Sequence, residues 1–489
     1  MNSKKEYEVK IRKLNREIEQ LKKKLEENTT KRKELSGDNK YLRRRLKALT
    51  ISRDNWKAKY KEKQRQIKDL KAQIKRASKA KWHHYTTWLI TLSILLRVKC
   101  NCSYECTVKI LKLLNSYFHL GLKKIPCANT VQNWVSKVGL YSLEKEPSKL
   151  TGKAVSLIID ESIRMGQEKL LLILQCPWIK KAKGALSFTD VEVVYMKGSK
   201  SWKGVAIAKE MTKTLLAKGI KVMNVLSDEG GNLKTATREI DLPHLPDIGH
   251  AIATCLRQTF DKQETYVSFT KLIASYLAKG VNQDLSYLCP PKLGKKARFM
   301  NQARVIDWAE QLLLNWRKLS KVEKAFFSKL SEHKKIMKTL ITCMSIAKIV
   351  GLPLKKEGLS TKTLEQIEKK LKPFEKKRGY VKVFLAKIQG YMTSYKAFLS
   401  NYPPGTCIHV SSDIIESIFG KYKFKANNFS LTGLTKLNLE LPLFCKTEKE
   451  IIQLTHIALE GISMTRLGQW VEEHSTDNQL VRKMKFRKK

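Results

Sequence analysis

From residue 153 the chain takes on the two-residue period of β-strands. Strand-like segments run over 154 to 160, 169 to 176 and 187 to 196, the last alternating through Phe188, Val191, Val193 and Tyr195. A helical pattern follows at about 202 to 217, then a strand at 220 to 227. A Gly230-Gly231 turn opens a helix at 232 to 239, and a short segment leads to Asp247. Three strands, a helix, a strand, a helix and a short strand predict a mixed sheet covered by helices. In that order the first and fourth strands are neighbours.

Two acids stand at the ends of those neighbours. Asp160 ends the apolar run Ala154-Val155-Ser156-Leu157-Ile158-Ile159, and Asp228 ends Lys221-Val222-Met223-Asn224-Val225-Leu226-Ser227. Both fall at the carboxyl end of the sheet, where open α/β sheets place ligands. A third acid, Glu416, lies in a helix-like stretch with Lys423 seven positions on. Mg²⁺ takes oxygen ligands and binds through a few carboxylates beside substrate phosphates, so this set suits a two-metal phosphodiester site with two Mg²⁺ or Mn²⁺ ions. The plain alternative is three unrelated, solvated acids. Glu161 and Glu229 directly follow the chosen aspartates, and Asp413 shares a helical face with Glu416. Asp413 sits where a helix cap is expected after Val410-Ser411-Ser412, which favours Glu416 as the third acid. Asp247 and His250 read either as auxiliary support beside the site or as a capping Asp and a satisfied His at a helix start.

The charge balance predicts a polyanionic partner. With 96 Lys plus Arg against 45 Asp plus Glu, the formal net charge is +51 over 489 residues. Counterion release from phosphates would dominate affinity, so binding to double-stranded DNA weakens steeply as salt rises. A membrane is the competing polyanion. The apolar stretches from Trp88 to Leu96 and from Lys169 to Cys176 fall short of the roughly 20 residues a spanning helix needs. The opening Met1-Asn2-Ser3-Lys4-Lys5-Glu6 lacks a signal peptide's apolar core, so the expectation is a cytoplasmic, nucleoid-associated protein. Ten scattered cysteines suit a reducing compartment. Cys100, Cys102 and Cys106, with His83 and His84 upstream, lack the paired Cys-x2-Cys spacing of zinc sites.

Ahead of the sheet, one heptad register runs from Ile11 to Ala77, with a polar middle at Asn28, Arg32 and Asn39 beside Ser36-Gly37-Asp38. Such a seam predicts a coiled coil over 1 to 80, and a homodimer or higher oligomer, with a break near Gly37 into two arms as the variant. This segment holds 28 basic and 11 acidic residues. Residues 82 to 146 then read as a helix-turn-helix, with a third helix from Asn129 to Val138 closed by Gly139. On that reading Val131, Trp134, Val135 and Val138 face inward, leaving Gln132, Asn133 and Lys137 free for DNA. An ordinary three-helix packing unit is the alternative. Beyond the first core segment, 150 to 269, residues 270 to 405 read as a helical insertion broken at Pro290-Pro291, Gly351 and Pro403-Pro404. Its loop holds Lys295, Lys296 and Arg298, placed to meet DNA or simply solvated. Residues 406 to 440 carry the Glu416 helix and 441 to 489 a basic helical tail.

Several motifs together resemble the DDE transposases of bacterial insertion sequences. They are Ile158-Ile159-Asp160, Leu226-Ser227-Asp228-Glu229-Gly230-Gly231, Pro246-Asp247-Ile248-Gly249-His250, Lys296-Ala297-Arg298-Phe299-Met300-Asn301, and the run from Ser411 to Lys423. The similarity covers about 83 to 440, and its most specific piece is the basic residue two helical turns after Glu416. It implies an α/β ribonuclease H-like catalytic domain with a large helical insertion, preceded by a coiled coil and an all-α helix-turn-helix domain. It also implies metal-dependent cleavage and strand transfer at the ends of a mobile element, with Asp160, Asp228 and Glu416 as catalytic, metal-holding residues. Lys423 would then contact a phosphate near the scissile bond. Two other classes stay open: a catalytically silent, coiled-coil DNA-binding regulator, and a nuclease of the same fold that cuts without joining.

Overall fold

The computed structural model describes residues 2–30, 36–76, 79–118, 122–165, 168–180, 184–280, 284–293, 299, 302–426, 434–474, 483, 486 and 487. The basic loop residues Lys295, Lys296 and Arg298 lie outside this set. The chain divides into two compact units, Met1–Leu92 with Thr455–Glu460, and Ser93–Leu454 with Gly461–Lys489.

The first unit is led by two long helices, α1 (Asn2–Thr30) and α2 (Ser36–Arg76). They pack antiparallel as a hairpin. Tyr7 and Trp56 stand 5.2 Å apart between ring centroids, and the Tyr60 hydroxyl donates to Glu8 Oε1 at 3.1 Å. Ile18 is buried along the same seam. The heptad register therefore meets its complement within one chain, whereas the expectation of a dimer rested on α1 and α2 having no other partner. Ser36-Gly37-Asp38, where the sequence places the weak middle, themselves lie in α2.

The second unit contains a five-stranded mixed sheet in the order β3-β2-β1-β4-β5. Its strands are β1 (Ala154–Met165), β2 (Glu168–Pro177), β3 (Glu192–Ser199), β4 (Lys221–Ser227) and β5 (His244–Pro246). The first and fourth are parallel neighbours, as the order predicts, with Ile158 opposite Leu226. This order is compatible with a ribonuclease H-like domain. One difference is that β1 runs on past Asp160, pairing with β2 as far as Met165 through a register shift between Asp160 and Ile163. The parallel pairing thus ends at Ile158, two residues before Asp160, and the strand runs on beyond both.

Alternation along β1 decides which side each residue serves. Val155, Leu157 and Ile159 pack with Ile207 and Met211 of α6 (Gly204–Lys218) and with Leu233 of α7 (Gly231–Glu239). Ser156, Ile158 and Asp160 belong to the opposite face. There Ser156 Oγ donates to Asn224 Oδ1 at 2.7 Å, and the pair Ile158 and Leu226 comes next along the two strands. Asp160 comes next on that face of β1, and Asp228 directly follows the end of β4.

The helical block after β5 has its own core. It is built mainly from α8 (Ile248–Phe260), α9 (Glu264–Gly280), α10 (Gln302–Leu314), α12 (Lys334–Glu357), α13 (Thr361–Glu375) and α14 (Tyr380–Leu399), with the short α11 (Lys321–Phe327) between. Gly351 does not break this block. It lies inside α12, where a Cβ would stand 3.1 Å from Ile252 Cδ1, so its smallness serves close packing onto α8. One stretch, Lys321–Glu357, is long and apolar enough by composition to cross a membrane, although no such stretch was expected. Ile336, Leu340, Cys343, Ile346, Val350 and Leu354 of this stretch are buried in the helical core, which accounts for its apolarity.

The helix expected to read DNA is also an interior element. α4 (Tyr104–Phe118) and α5 (Ala128–Glu144) form as the pattern predicts, but α5 continues through Gly139. A Cβ on Gly139 would lie 1.8 Å from the carbonyl oxygen of Leu439, in a 3-10 helix, Lys436–Glu440, that crosses α5 there. Gly139→Ala should cost about 2–3 kcal/mol or more, because backbone rather than a pliable side chain must move. The midpoint of chemical unfolding tests this; an unchanged midpoint would mean that the crossing is looser than described.

Candidate active site

The face of the sheet bearing Asp160 meets α15 (Asp413–Ala426), the helix that carries Glu416. Three segments converge at the carboxyl end of the parallel strands: the middle of β1, the turn after β4, and the first turns of α15.

A buried carboxylate joins them. Asp247 is 1 % exposed and caps α8, accepting from the His250 backbone N–H at 2.8 Å and from His250 Nδ1 at 3.0 Å. Its second oxygen accepts from the Ser412 N–H at 2.6 Å, one residue before α15 begins. The Asp247 N–H in turn donates to the Ser227 carbonyl at 2.9 Å, at the end of β4 and next to Asp228. One side chain therefore fixes the entrance of α15 relative to the end of β4. Burial opposes ionisation of Asp247, but the hydrogen bonds from His250 and Ser412 outweigh it and hold the carboxyl below its ordinary value.

His250 carries that arrangement onward. Its bond to Asp247 raises it to about 9, with further attraction from Asp228 and Glu416, so it is an imidazolium at neutral pH. Its Nε2 stands 3.8 Å from Glu416 Oε1. Glu416 is itself 47 % exposed, and the partial loss of water around its carboxyl raises it, partly offset by His250. Asp247 and His250 form the helix cap that one of the two sequence readings expects, and His250 also stands beside Glu416.

The rival acids are engaged elsewhere. Asp413 accepts from Lys355 of α12 at 2.6 and 2.9 Å. Glu229 accepts from Lys234 at 2.8 Å and from the Tyr391 hydroxyl. Glu161 accepts from Asn232 Nδ2 at 3.3 Å and from Lys169 at 3.4 Å. Asp228 accepts from the Gly230 N–H at 2.9 Å, the local turn that opens α7, and a Cβ on Gly230 would lie 2.8 Å from that oxygen. Lys423 lies on the same face of α15 as Glu416, two turns on, and is half-buried. The links from Lys355 and Tyr391 had no sequence signal, since each joins the helical block to a residue far away in the chain.

Among the described residues, no group of three or more His, Cys, Asp or Glu side chains is gathered closely enough to hold a metal ion. The oxygen-only donor set of Asp160, Asp228 and Glu416 suits Mg²⁺ or Mn²⁺ in its chemistry, but its arrangement here does not form a closed cage.

The far end of α15 is anchored by a buried ionic cluster. Glu440 Oε1 accepts from Arg97 Nε at 2.7 Å and from the Tyr104 hydroxyl at 2.5 Å, and Glu440 Oε2 lies 3.3 Å from Lys425 Nζ. Lys425 also donates to the Arg97 carbonyl at 2.5 Å. Burial pushes the Lys425 amine down to about 8, against the pull of Glu440. In the unfolded chain the same amine keeps its proton to about 10.4. The folded state thus binds fewer protons between these values, and stability should rise with pH from about 8 to 10.4. Lys425→Met should flatten that rise in a thermal-unfolding series; an undiminished rise would assign it to other groups.

The predicted recognition residues are placed otherwise. Lys137 is buried, not free to reach DNA. Asn133 is half-buried and its Oδ1 accepts from Lys436 Nζ at 2.8 Å; Gln132 is half-buried beside it. Residues 436 to 444 cover the side of α5 that local periodicity left polar.

No protein-family model and no curated protein matches the chain. Among solved structures it is similar to the Drosophila P element transposase strand transfer complex, at 13% identity and a TM-score of 0.37, over 79% of this chain and 94% of that chain. That likeness is too slight to carry an argument, and it does not tie the chain to bacterial insertion sequences.

Proposed function

We propose that this chain is a DNA transposase that cleaves and joins DNA strands, with Asp160, Asp228 and Glu416 as the reaction centre of a ribonuclease H-like domain. The observation that carries this reading is the Asp247 junction, which holds the end of β4, with Asp228 beside it, against the start of the Glu416 helix. Engagement of Asp413 by Lys355 and of Glu229 by Lys234 supports Glu416 and Asp228 over these two neighbours. The net charge of +51 supports a DNA substrate.

Two divalent ions, Mg²⁺ or Mn²⁺, are the cofactors of this proposal, with the three carboxylates as their holders. Those carboxylates do not form a closed cage on their own. Asp247 fixes His250, and His250 places a positive charge beside Glu416 and Asp228. Lys423 is the proposed phosphate contact.

The test is incubation of the full chain with Mg²⁺ or Mn²⁺ and the DNA ends that flank its own gene. Metal-dependent nicks and joined strands are expected. Nicks without joining would favour a nuclease, and binding without either product would favour a silent regulator.

A further inference from the structure

Two triplets of exposed cations lie at about the same level on the two helices of the N-terminal hairpin. The contacts between Tyr7 and Trp56 and between Glu8 and Tyr60, with Lys10 Nζ 4.2 Å from the centre of the Trp56 ring, set its antiparallel register. Counting as many residues up α1 as back along α2 brings Lys22, Lys23 and Lys24 level with Arg43, Arg44 and Arg45. All six are exposed, and Lys22 pairs with Glu19 at 2.9 Å. Among the described side chains, this hairpin exposes 16 Lys and Arg against four Asp and Glu.

Closing the hairpin uses the apolar seam internally and turns the charge outward. Like charges held at one level repel one another, and a polyanion relieves that cost. The apolar face that an interfacial membrane helix needs is turned toward the other helix; among the described side chains Val9 and Ile51 are the large apolar residues left exposed on the hairpin. A duplex carries one phosphate charge per about 1.7 Å and requires no apolar contact.

We propose that the α1–α2 hairpin is a clamp for the phosphate backbone of duplex DNA, centred on Lys22, Lys23, Lys24, Arg43, Arg44 and Arg45. It rests on the proposed DNA substrate and is independent of cleavage. The experiment measures the affinity of the full chain for a random-sequence duplex across a salt series. The parent is compared with a variant carrying K22Q, K23Q, K24Q, R43Q, R44Q and R45Q. Each lost phosphate contact removes about 0.9 from the log–log salt slope, so the slope should fall by about 3 to 5 and affinity at about 0.1 M salt should drop at least about tenfold. An unchanged slope overturns the clamp while leaving the function proposed above intact. A parent without salt-dependent binding overturns the DNA substrate itself. Glu19→Gln guards against misfolding of the multiple variant: it removes a negative charge from the same level and should tighten binding, and an unchanged or weaker affinity counts against the clamp.

Discussion

Asp247→Ala should lower the stability of the folded chain by about 3–5 kcal/mol, the usual cost of removing one partner from a buried, charged hydrogen-bond cluster. Three groups lose their acceptor together: the His250 N–H, the His250 ring and the Ser412 N–H. The imidazolium of His250 is then left half-buried with the more distant Glu416 as its remaining close carboxylate. Asp247→Asn keeps an acceptor oxygen but not the charge, so it should lose roughly half as much. Chemical unfolding of both variants provides the check. If Asp247→Ala is as stable as the parent, Asp247 does not hold α15 against β4. Activity of the folded fraction should also fall, because a Glu416 helix displaced by about 1 Å can cost on the order of a hundredfold in rate.

Glu440→Ala should be of similar size, about 3–5 kcal/mol, for a related reason. Arg97 and Lys425 both lie in the interior with side chains at most 5 % exposed, and Glu440 is the carboxylate between them. Its removal leaves two buried cations facing each other without compensation, and frees the Tyr104 hydroxyl from its acceptor. Denaturant titration should show a lowered midpoint with an unchanged slope. A loss below about 1 kcal/mol would place the cluster in contact with water, where ion pairs contribute little.

The sheet was legible because its information is local. Runs at Ala154 and Lys221 and the alternation through Tyr195 mark strands, and their order makes β1 and β4 neighbours. The Asp247 cap was equally readable, since an Asp three residues before its partner is a short-range pattern. A heptad pattern is the same whether the facing helix belongs to this chain or to another, so the seam alone does not say where its partner lies. Gly139 and Gly351 look like helix ends in the sequence, although each is a point of close approach set by residues far away, Leu439 and Ile252. Lys137 was assigned to solvent because α5 looks amphipathic by itself, and residues 436 to 444 cover it only in the folded chain. Lys355 and Tyr391 beside the candidate site had no local signature at all, because what places them is the packing of the helical block.

The most direct test of the central claim compares Glu416→Ala with Asp413→Ala in metal-dependent cleavage of the element's own DNA ends, with DNA affinity measured alongside. Asp413 is partly exposed and paired with Lys355, so its loss should cost at most about 1 kcal/mol of stability and leave cleavage largely intact. Glu416→Ala should abolish cleavage and leave DNA binding equal to the parent's or slightly tighter, since a negative charge is removed beside a polyanion. Cleavage at the parental rate by Glu416→Ala, with Asp413→Ala inactive, would contradict the assignment of Asp160, Asp228 and Glu416 as the reaction centre.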